Sequence, residues 1–143
     1  MRRDYGIYQV GLKALVKKGN DFLFLKCKTR DSFQWDLPGG RIDDIEAEVP
    51  LKDILAREMR EEGGINFRYT LGKPTFQFRR LFRQTGKVYV PITVYEATYV
   101  GGEVTISNEH DNHEGINPRT RGLFQHEFFA EEEYLAFKKY FSF

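Results

Sequence analysis

Hydrophobic positions near the start of the chain alternate in the manner of β-strands. Every second residue from Val10 to Val16 is apolar, and an apolar run over residues 22–25 follows the sequence Gly-Asn-Asp. This pattern predicts two strands joined by a tight turn. Residues 74–100 predict a long hairpin, which turns at residues 84–86 and has Pro91 at an edge or a bulge.

The remaining strand and loop predictions lie between this hairpin and the end of the chain. Residues 101–107 predict one further short strand. Residues 108–122 are polar and rich in turn formers. They therefore predict a long loop that is either mobile or part of a binding site.

Two segments have the pattern of α-helices. Residues 51–62 are good helix formers that begin after a proline and end at a Gly-Gly pair. Residues 130–140 have acidic residues in the first turn and lysines in the last, as the helix dipole favours. In this second helix, we expect the apolar residues Leu135, Phe137 and Phe141 to pack against the protein.

Composition indicates one globular unit whose net charge is too small to create a strong electrostatic field. The chain has 143 residues, 41% of them hydrophobic, and a net charge of +1. It has no repeat and no long linker, so we predict an α+β fold and a single domain over residues 1–143. The start lacks the apolar segment of a secretory signal, and no run of eighteen apolar residues occurs, which predicts a cytoplasmic protein. Cys27, the only cysteine, is predicted to be a half-buried strand thiol without a functional role.

Three glutamates crowd the last turns of the first helix. At about 100° per residue, Glu58, Glu61 and Glu62 project into or beside the apolar arc of the helix. That arc consists of Leu51, Ile54, Leu55 and Met59. Like charges at this spacing repel one another and the negative helix end. A divalent cation, Mg²⁺ or Mn²⁺, would compensate them. The alternative is a charged helix end paired with Arg57 and other basic residues.

The sequences "WDLPGG" at 35–40 and "REMREEGGI" at 57–65 resemble the signature of the Nudix hydrolases of the MutT type. The signature reads G-x5-E-x7-R-E-U-x-E-E-x-G-U, where U is a bulky aliphatic residue. Its second half matches at every defined position. Ten residues rather than seven separate Glu46 from Arg57. The first glutamate of this signature, or Nudix box, can therefore be either Glu46 or Glu48.

The resemblance implies a mixed β-sheet sandwiched between helices and a metal site at the end of the first helix. Glu58, Glu61 and Glu62, with the main-chain carbonyl of Gly39, would bind the metal, and Arg57 would orient Glu58. The implied cofactor is Mg²⁺, with Mn²⁺ as an alternative.

The implied reaction is hydrolysis of a nucleoside diphosphate linked to another group, and a nucleoside triphosphate is narrowly favoured. Glu58 or Glu61 would accept the proton of the attacking water, with Glu109 as a third candidate. The implied partner is a nucleotide-type small molecule, and neither a membrane nor a nucleic acid is expected. The resemblance also allows a homodimer.

Two other functions stay open at this point. A Nudix-like domain can bind or sense a nucleotide without cleaving it, although loss of box glutamates would favour that function and all three are present here. An isoprenoid diphosphate isomerase would need a catalytic cysteine in the pocket, and Cys27 is predicted to lie on a strand. His110 and His113 form an H-x-x-H pair that could bind a metal, but an ordinary polar loop is the better interpretation. The aromatic and basic residues of 76–87 are better explained by hairpin packing with a solvated basic face than by base stacking.

Overall fold

One mixed β-sheet with helices on both faces forms the framework of the protein. The computed structural model describes residues 3–83, 86–108 and 110–143. The strands in this part of the chain are β1 (Gly11–Lys18), β2 (Asp21–Lys28), β3 (Phe33–Asp36), β4 (Gly39–Arg41), β5 (Arg68–Arg83), β6 (Lys87–Gly101) and β7 (Asn112–Ile116). The α-helices are α1 (Leu51–Gly63), α2 (Pro118–Arg121) and α3 (Glu131–Phe141).

Strand β1 lies at the centre of the sheet. The strand order is β3-β2-β1-β6-β5, with β4 paired to β1 and β7 paired to β2. β1 and β6 are parallel, whereas the other pairs are antiparallel. Because β4 and β6 both pair with the first residues of β1, the start of β1 lies between them.

The alternation in β1 sends neighbouring side chains to opposite faces of the sheet. Apolar side chains of β1 and α1 form one core, which includes Leu12, Ala14, Val16, Ile54, Leu55 and Met59. Leu15 belongs to a second core with Phe137 and Phe141 of α3. The predicted α+β fold, with a mixed sheet between helices, is therefore confirmed.

The segment after β6 differs from the prediction. Residues 102–107 form no strand, and the backbone N–H of Thr105 instead donates to the carbonyl of Gly63 at the end of α1. The strand β7 lies within the predicted loop 108–122 and pairs with β2 from Phe22 to Lys26. The polar sequence of β7 concealed it, because four of its five residues are exposed and alternation is absent.

The hairpin of β5 and β6 was predicted, but the position of Pro91 was not. Residues 84–85 of the predicted turn lie outside the described residues. Pro91 is on β6 and pairs with Arg79 of β5. Because β6 lies between β1 and β5 and the register is regular at this pair, Pro91 marks neither an edge strand nor a bulge. It precedes Ile92, from which β6 pairs with β1. The N–H that proline lacks is therefore not needed by β1.

The two long helices occur where they were predicted, with small differences at their ends. α1 extends to Gly63, and the capping residue Gly64 has a φ of 95° that favours glycine. Leu51 and Leu135 are 49% and 52% exposed, so these two residues do not pack as predicted. No helix in the described part of the chain is long and apolar enough to cross a membrane.

Candidate active site

Two glycines at the start of β4 allow close packing around the site. Gly39 has a φ of 138°, and a Cβ atom there would collide with the backbone of Leu12 and Lys13. A Cβ atom on Gly40 would overlap the carboxylate of Glu58. The backbone conformation and the close approach to β1 require glycine at 39, whereas a side chain at 40 would displace the Glu58 carboxylate. The two glycines therefore let β4 lie close to β1 and to the Glu58 side chain of α1.

The three predicted glutamates of α1 line one cavity of about 660 Å³. Gly39 and Gly40 lie in the same wall. Glu58 and Glu62 are buried, with 8% and 5% exposure, whereas the side chain of Glu61 is 60% exposed. All three thus border the cavity as the sequence predicts, but Glu61 lies at the solvent side of the helix.

Arg57 connects the first box glutamate to the helix carboxylates. Its Nε donates to Glu46 Oε2 at 2.7 Å, and its Nη2 donates to the other oxygen of that carboxylate. Its Nη1 lies 2.8 Å from Glu58 Oε1 and 3.1 Å from Glu61 Oε2. Glu46 is buried and Glu48 is exposed, so the residue that pairs with Arg57 is Glu46.

The longer loop before α1 explains this choice. Asp43 caps a short 3-10 helix over Asp44–Glu46, and the Asp43 N–H donates a hydrogen bond to Glu46 Oε1 at 3.0 Å. This capping turn directs the carboxylate of Glu46 towards Arg57. Hydrogen bonds from Arg57 lower the pKa of Glu46 below its ordinary value.

Burial, more than mutual repulsion, controls the charge of Glu58. Desolvation raises the pKa of the Glu58 carboxyl, and the Arg57 guanidinium offsets part of that rise. Repulsion from Glu61 and Glu62 raises the same pKa by smaller amounts. The crowding read from the sequence is real, but it is a secondary cause.

The donor set suits a hard divalent cation. Three carboxylates and the Gly39 carbonyl offer oxygen ligands of the kind that Mg²⁺ and Mn²⁺ prefer. Gly40 leaves room beside Glu58 that any side chain would fill. Arg57 holds Glu58 and Glu61, whereas Ser107 Oγ donates to Glu62 Oε2 at 3.2 Å.

A second group of potential metal ligands lies in the wall of the same cavity. Among the described residues, the metal-competent atoms that lie within 4.8 Å of one another belong to Cys27, Asp36 and His110. The oxygens of Asp36 are already used by Lys13 at 3.1 Å, Arg80 at 3.0 Å and the Leu37 N–H at 2.8 Å. Two cations on the same carboxylate disfavour a metal there, so the α1 carboxylates are the better cation site.

Ion pairs set the charges of this group. Burial opposes ionisation of Asp36, but Arg80 and Lys13 outweigh it and hold the pKa of that carboxyl well below its usual range. Burial likewise opposes a charged His110, yet hydrogen bonds to Asp36, Cys27 and Glu62 raise its pKa to about 11. His110 is therefore a buried imidazolium at neutral pH.

Sequence reasoning missed several residues of this site. Lys13 and Arg80 are buried, and both line the cavity, although the basic residues of β5 were predicted to be mostly solvated. His110 is buried beside Glu62, whereas His113 is exposed on β7, so they do not form a metal-binding pair. Cys27 is half-buried on β2, as predicted, but it also lines the cavity.

One candidate proton acceptor cannot be placed. Glu109 lies outside the described residues. Its neighbour Asn108 lines the cavity. The prediction for Glu109 therefore stays a prediction.

Solved structures of similar shape cover nearly the whole chain. A MutT protein from Methanosarcina mazei has 26% identity and a TM-score of 0.64, over 94% of this chain and 91% of that one. The E. coli ORF135 protein has 17% identity and a TM-score of 0.71, over 94% and 89%. An ADP-ribose pyrophosphatase from Streptococcus suis has 16% identity and a TM-score of 0.59, over 91% and 89%. No protein-family model and no curated protein sequence matches this chain.

Proposed function

We propose that this chain, which has the fold of the MutT-like Nudix hydrolases, hydrolyses a phosphoric anhydride bond in a nucleotide-type substrate. The observation that carries the proposal is the placement of Glu58, Glu61, Glu62 and Gly39 in the wall of one cavity. The favoured substrate is a nucleoside triphosphate, and the favoured cofactor is Mg²⁺, with Mn²⁺ as an alternative.

In this proposal, the residues of the site bind the metal and accept a proton from the attacking water. Glu58, Glu61, Glu62 and the Gly39 carbonyl would hold the metal. When bound, the metal would polarise the phosphoryl oxygens and lower the pKa of the attacking water. Glu58 or Glu61 accepts the proton of that water, since both carboxylates face the cavity.

Arg57 acts through the carboxylates rather than on the substrate. It contacts Glu46, Glu58 and Glu61 at the same time. The bidentate pair with Glu46 fixes the plane of the guanidinium. Arg57 thereby limits the conformations of Glu58 and Glu61 and orients them towards the cavity.

Aromatic and basic residues in the cavity wall suit a nucleotide. Arg41 stacks over the ring of Phe82 at 4.6 Å, and Arg80 lies over the ring of Phe129 at 4.4 Å. All four residues line the cavity. Aromatic rings stack on bases, and guanidinium groups attract phosphate. Because Arg80 already pairs with Asp36 and Glu133, Arg41 is the guanidinium that would contact a phosphate, and the phenylalanines would contact a base.

A screen of nucleotides tests the proposal directly. The chain is incubated with nucleoside triphosphates and with nucleoside diphosphate derivatives, with Mg²⁺ or with chelator, and released phosphate and pyrophosphate are measured. We expect Mg²⁺-dependent release from at least one nucleotide and its loss in Glu62→Gln. Absence of Mg²⁺-dependent release from every nucleotide would overturn the proposal. In that case, nucleotide binding in a separate titration would indicate a sensor domain, and Cys27-dependent conversion of an isoprenoid diphosphate in a separate assay would indicate an isomerase.

Three further predictions from the sequence remain proposals. These are a single domain over residues 1–143, a cytoplasmic location and a homodimer. Size-exclusion chromatography with light scattering would measure the oligomeric state.

A further inference from the structure

A chain of buried ionic contacts connects helix α3 to the cavity. Glu133 is fully buried in the first turn of α3 and accepts a hydrogen bond from Arg80 Nε at 2.9 Å. Arg80, which is 6% exposed, also donates from Nη2 to Asp36 Oδ1 at 3.0 Å. Asp36 ends strand β3, three residues before Gly39. Charged groups buried this deeply are costly unless each has a partner.

From Asp36 the contacts divide into two arms. Lys13 Nζ lies 3.1 Å from Asp36 Oδ2 and 3.4 Å from the carbonyl oxygen of Gly39. His110 Nε2 lies 3.5 Å from the same Asp36 oxygen, and His110 Nδ1 lies 2.9 Å from Glu62 Oε2. Both arms therefore end on atoms that the proposed function assigns to the metal.

We infer that Asp36 is a positioning residue, which holds Lys13 and His110 so that the Gly39 carbonyl and the Glu62 carboxylate keep their places at the metal site. Arg80 and Glu133 in turn hold Asp36. The inference rests on the proposed function, because it concerns the same metal ligands.

Charge gives a second reason for this role. Lys13 and Arg80 are cations in the wall of a cavity that must accept another cation. The Asp36 carboxylate contacts both of them and neutralises part of that charge. Without it, the two buried cations would repel the metal. Asp36→Asn removes the charge and preserves the shape.

The experiment measures metal binding without substrate. Mn²⁺ is titrated into wild type, Asp36→Asn, Asp36→Glu and Glu127→Gln, and free Mn²⁺ is followed by electron paramagnetic resonance. Glu127 is the matched control, since it is a buried acid with an arginine partner, 2.8 Å from Arg121, and it does not line the cavity. Thermal unfolding of each variant is measured alongside.

We expect Asp36→Asn to weaken Mn²⁺ binding by about 10-fold or more, as removal of groups that orient metal ligands commonly does. Asp36→Glu should recover part of the loss, and Glu127→Gln should bind Mn²⁺ as wild type does even where its melting temperature falls. Glu133→Gln, in which an amide oxygen can still accept from Arg80, should weaken binding less than Asp36→Asn and serves as the test if Asp36→Asn does not fold.

The two proposals fail in different ways. Absence of Mn²⁺ binding by wild type would overturn the proposed function. Normal Mn²⁺ binding by Asp36→Asn, or by Glu133→Gln where Asp36→Asn does not fold, would overturn the positioning role and leave the proposed function in place. Equal weakening in Glu127→Gln would also overturn the positioning role, because general destabilisation would then explain the effect.

Discussion

Glu62 is the most buried of the three helix carboxylates and lies at the junction of α1 with His110 and Ser107. Its neighbours fix its position. Glu61 is largely exposed, and Arg57 is its ion-pair partner within the described part of the chain. Chemically identical residues within one turn of helix thus have different surroundings and different freedom to move.

Replacement of Glu62 by glutamine should remove most activity and leave the fold intact. The amide keeps the shape but lacks the charge that would hold Mg²⁺, so we expect a loss of about 100-fold or more in kcat, about 2.7 kcal/mol of transition-state stabilisation. Steady-state kinetics at saturating Mg²⁺ measure the loss, and circular dichroism checks the fold. Turnover near the wild-type rate would show that Glu62 is not a metal ligand.

Glu46 and Glu48 should behave differently when each is replaced by alanine. Glu46→Ala leaves Arg57 without its bidentate partner. The free guanidinium can then pair with Glu58 and Glu61, so we expect a lower affinity for the metal. Glu48 is exposed, and its loss should change the free energy of unfolding by less than about 0.5 kcal/mol. Mg²⁺ titrations of activity compare the two variants. Equal loss of metal affinity in both would contradict the assignment of Glu46 as the box glutamate.

At the scale of elements, the short 3-10 helix Gln125–Glu127, between α2 and α3, contains a buried acid that lies outside the cavity wall. Glu127 is 3% exposed and accepts hydrogen bonds from Trp35 Nε1 at 3.2 Å and from the Phe124 N–H at 2.8 Å. Burial by itself raises the pKa of Glu127, but hydrogen bonds from Arg121, Phe124 and Trp35 outweigh it, so the pKa lies below the ordinary value.

This depressed pKa predicts a specific pH dependence of stability. A carboxyl with a lowered folded pKa stabilises the protein above its unfolded pKa, near 4.3, and the contribution is lost as pH falls through the folded pKa. Glu127→Gln should therefore cost about 1 kcal/mol or more at pH 7, and the difference from wild type should shrink below about pH 4. Urea unfolding at both pH values measures it. A difference that stays constant would contradict the linkage.

The close packing of Gly39 against β1 predicts that a larger residue at this position destabilises the protein. Gly39→Ala forces a Cβ atom into the backbone of β1 at a φ that alanine rarely adopts, which should destabilise the protein by several kcal/mol. Thermal unfolding measures the cost. Exposed Gly19 has a positive φ and no atom within 4 Å of a Cβ, so Gly19→Ala is the control for the conformational cost alone. Equal melting temperatures for the two variants would contradict the role of close packing at Gly39.

The elements that depend on local pattern were predictable from the sequence. Helix α1 follows from its apolar arc and its Gly-Gly end, and the box motif identifies its glutamates. Strand β7 was missed because it is short and polar, and pairing with β2 rather than local preference makes it a strand. The contacts of Arg80 with Asp36 and Glu133 span 44 and 53 residues, and no local pattern encodes a pairing at that separation.

At the scale of the whole molecule, the account depends on one claim, that α1 presents a cation site to the cavity. The Glu58 carboxyl has a raised pKa, chiefly through burial. Its contribution to stability without metal is present below the unfolded pKa and is lost as pH rises through the folded pKa. A cation that needs the ionised carboxylates reverses this loss, so its effect should grow from mild acid towards alkaline pH.

Thermal unfolding with saturating Mg²⁺ or with chelator, at pH 5 and pH 8, tests this claim most directly. At a hundredfold excess over its dissociation constant, a cation bound by the native state alone adds about 2.7 kcal/mol, or about 5 to 10 °C in Tm for a domain of this size. We expect a rise of that order in wild type at pH 8, a smaller rise at pH 5, and none in the double variant Glu58→Gln/Glu62→Gln. A rise that is absent from wild type at both pH values, or one that persists unchanged in the double variant, would contradict the assignment of α1 as the metal site.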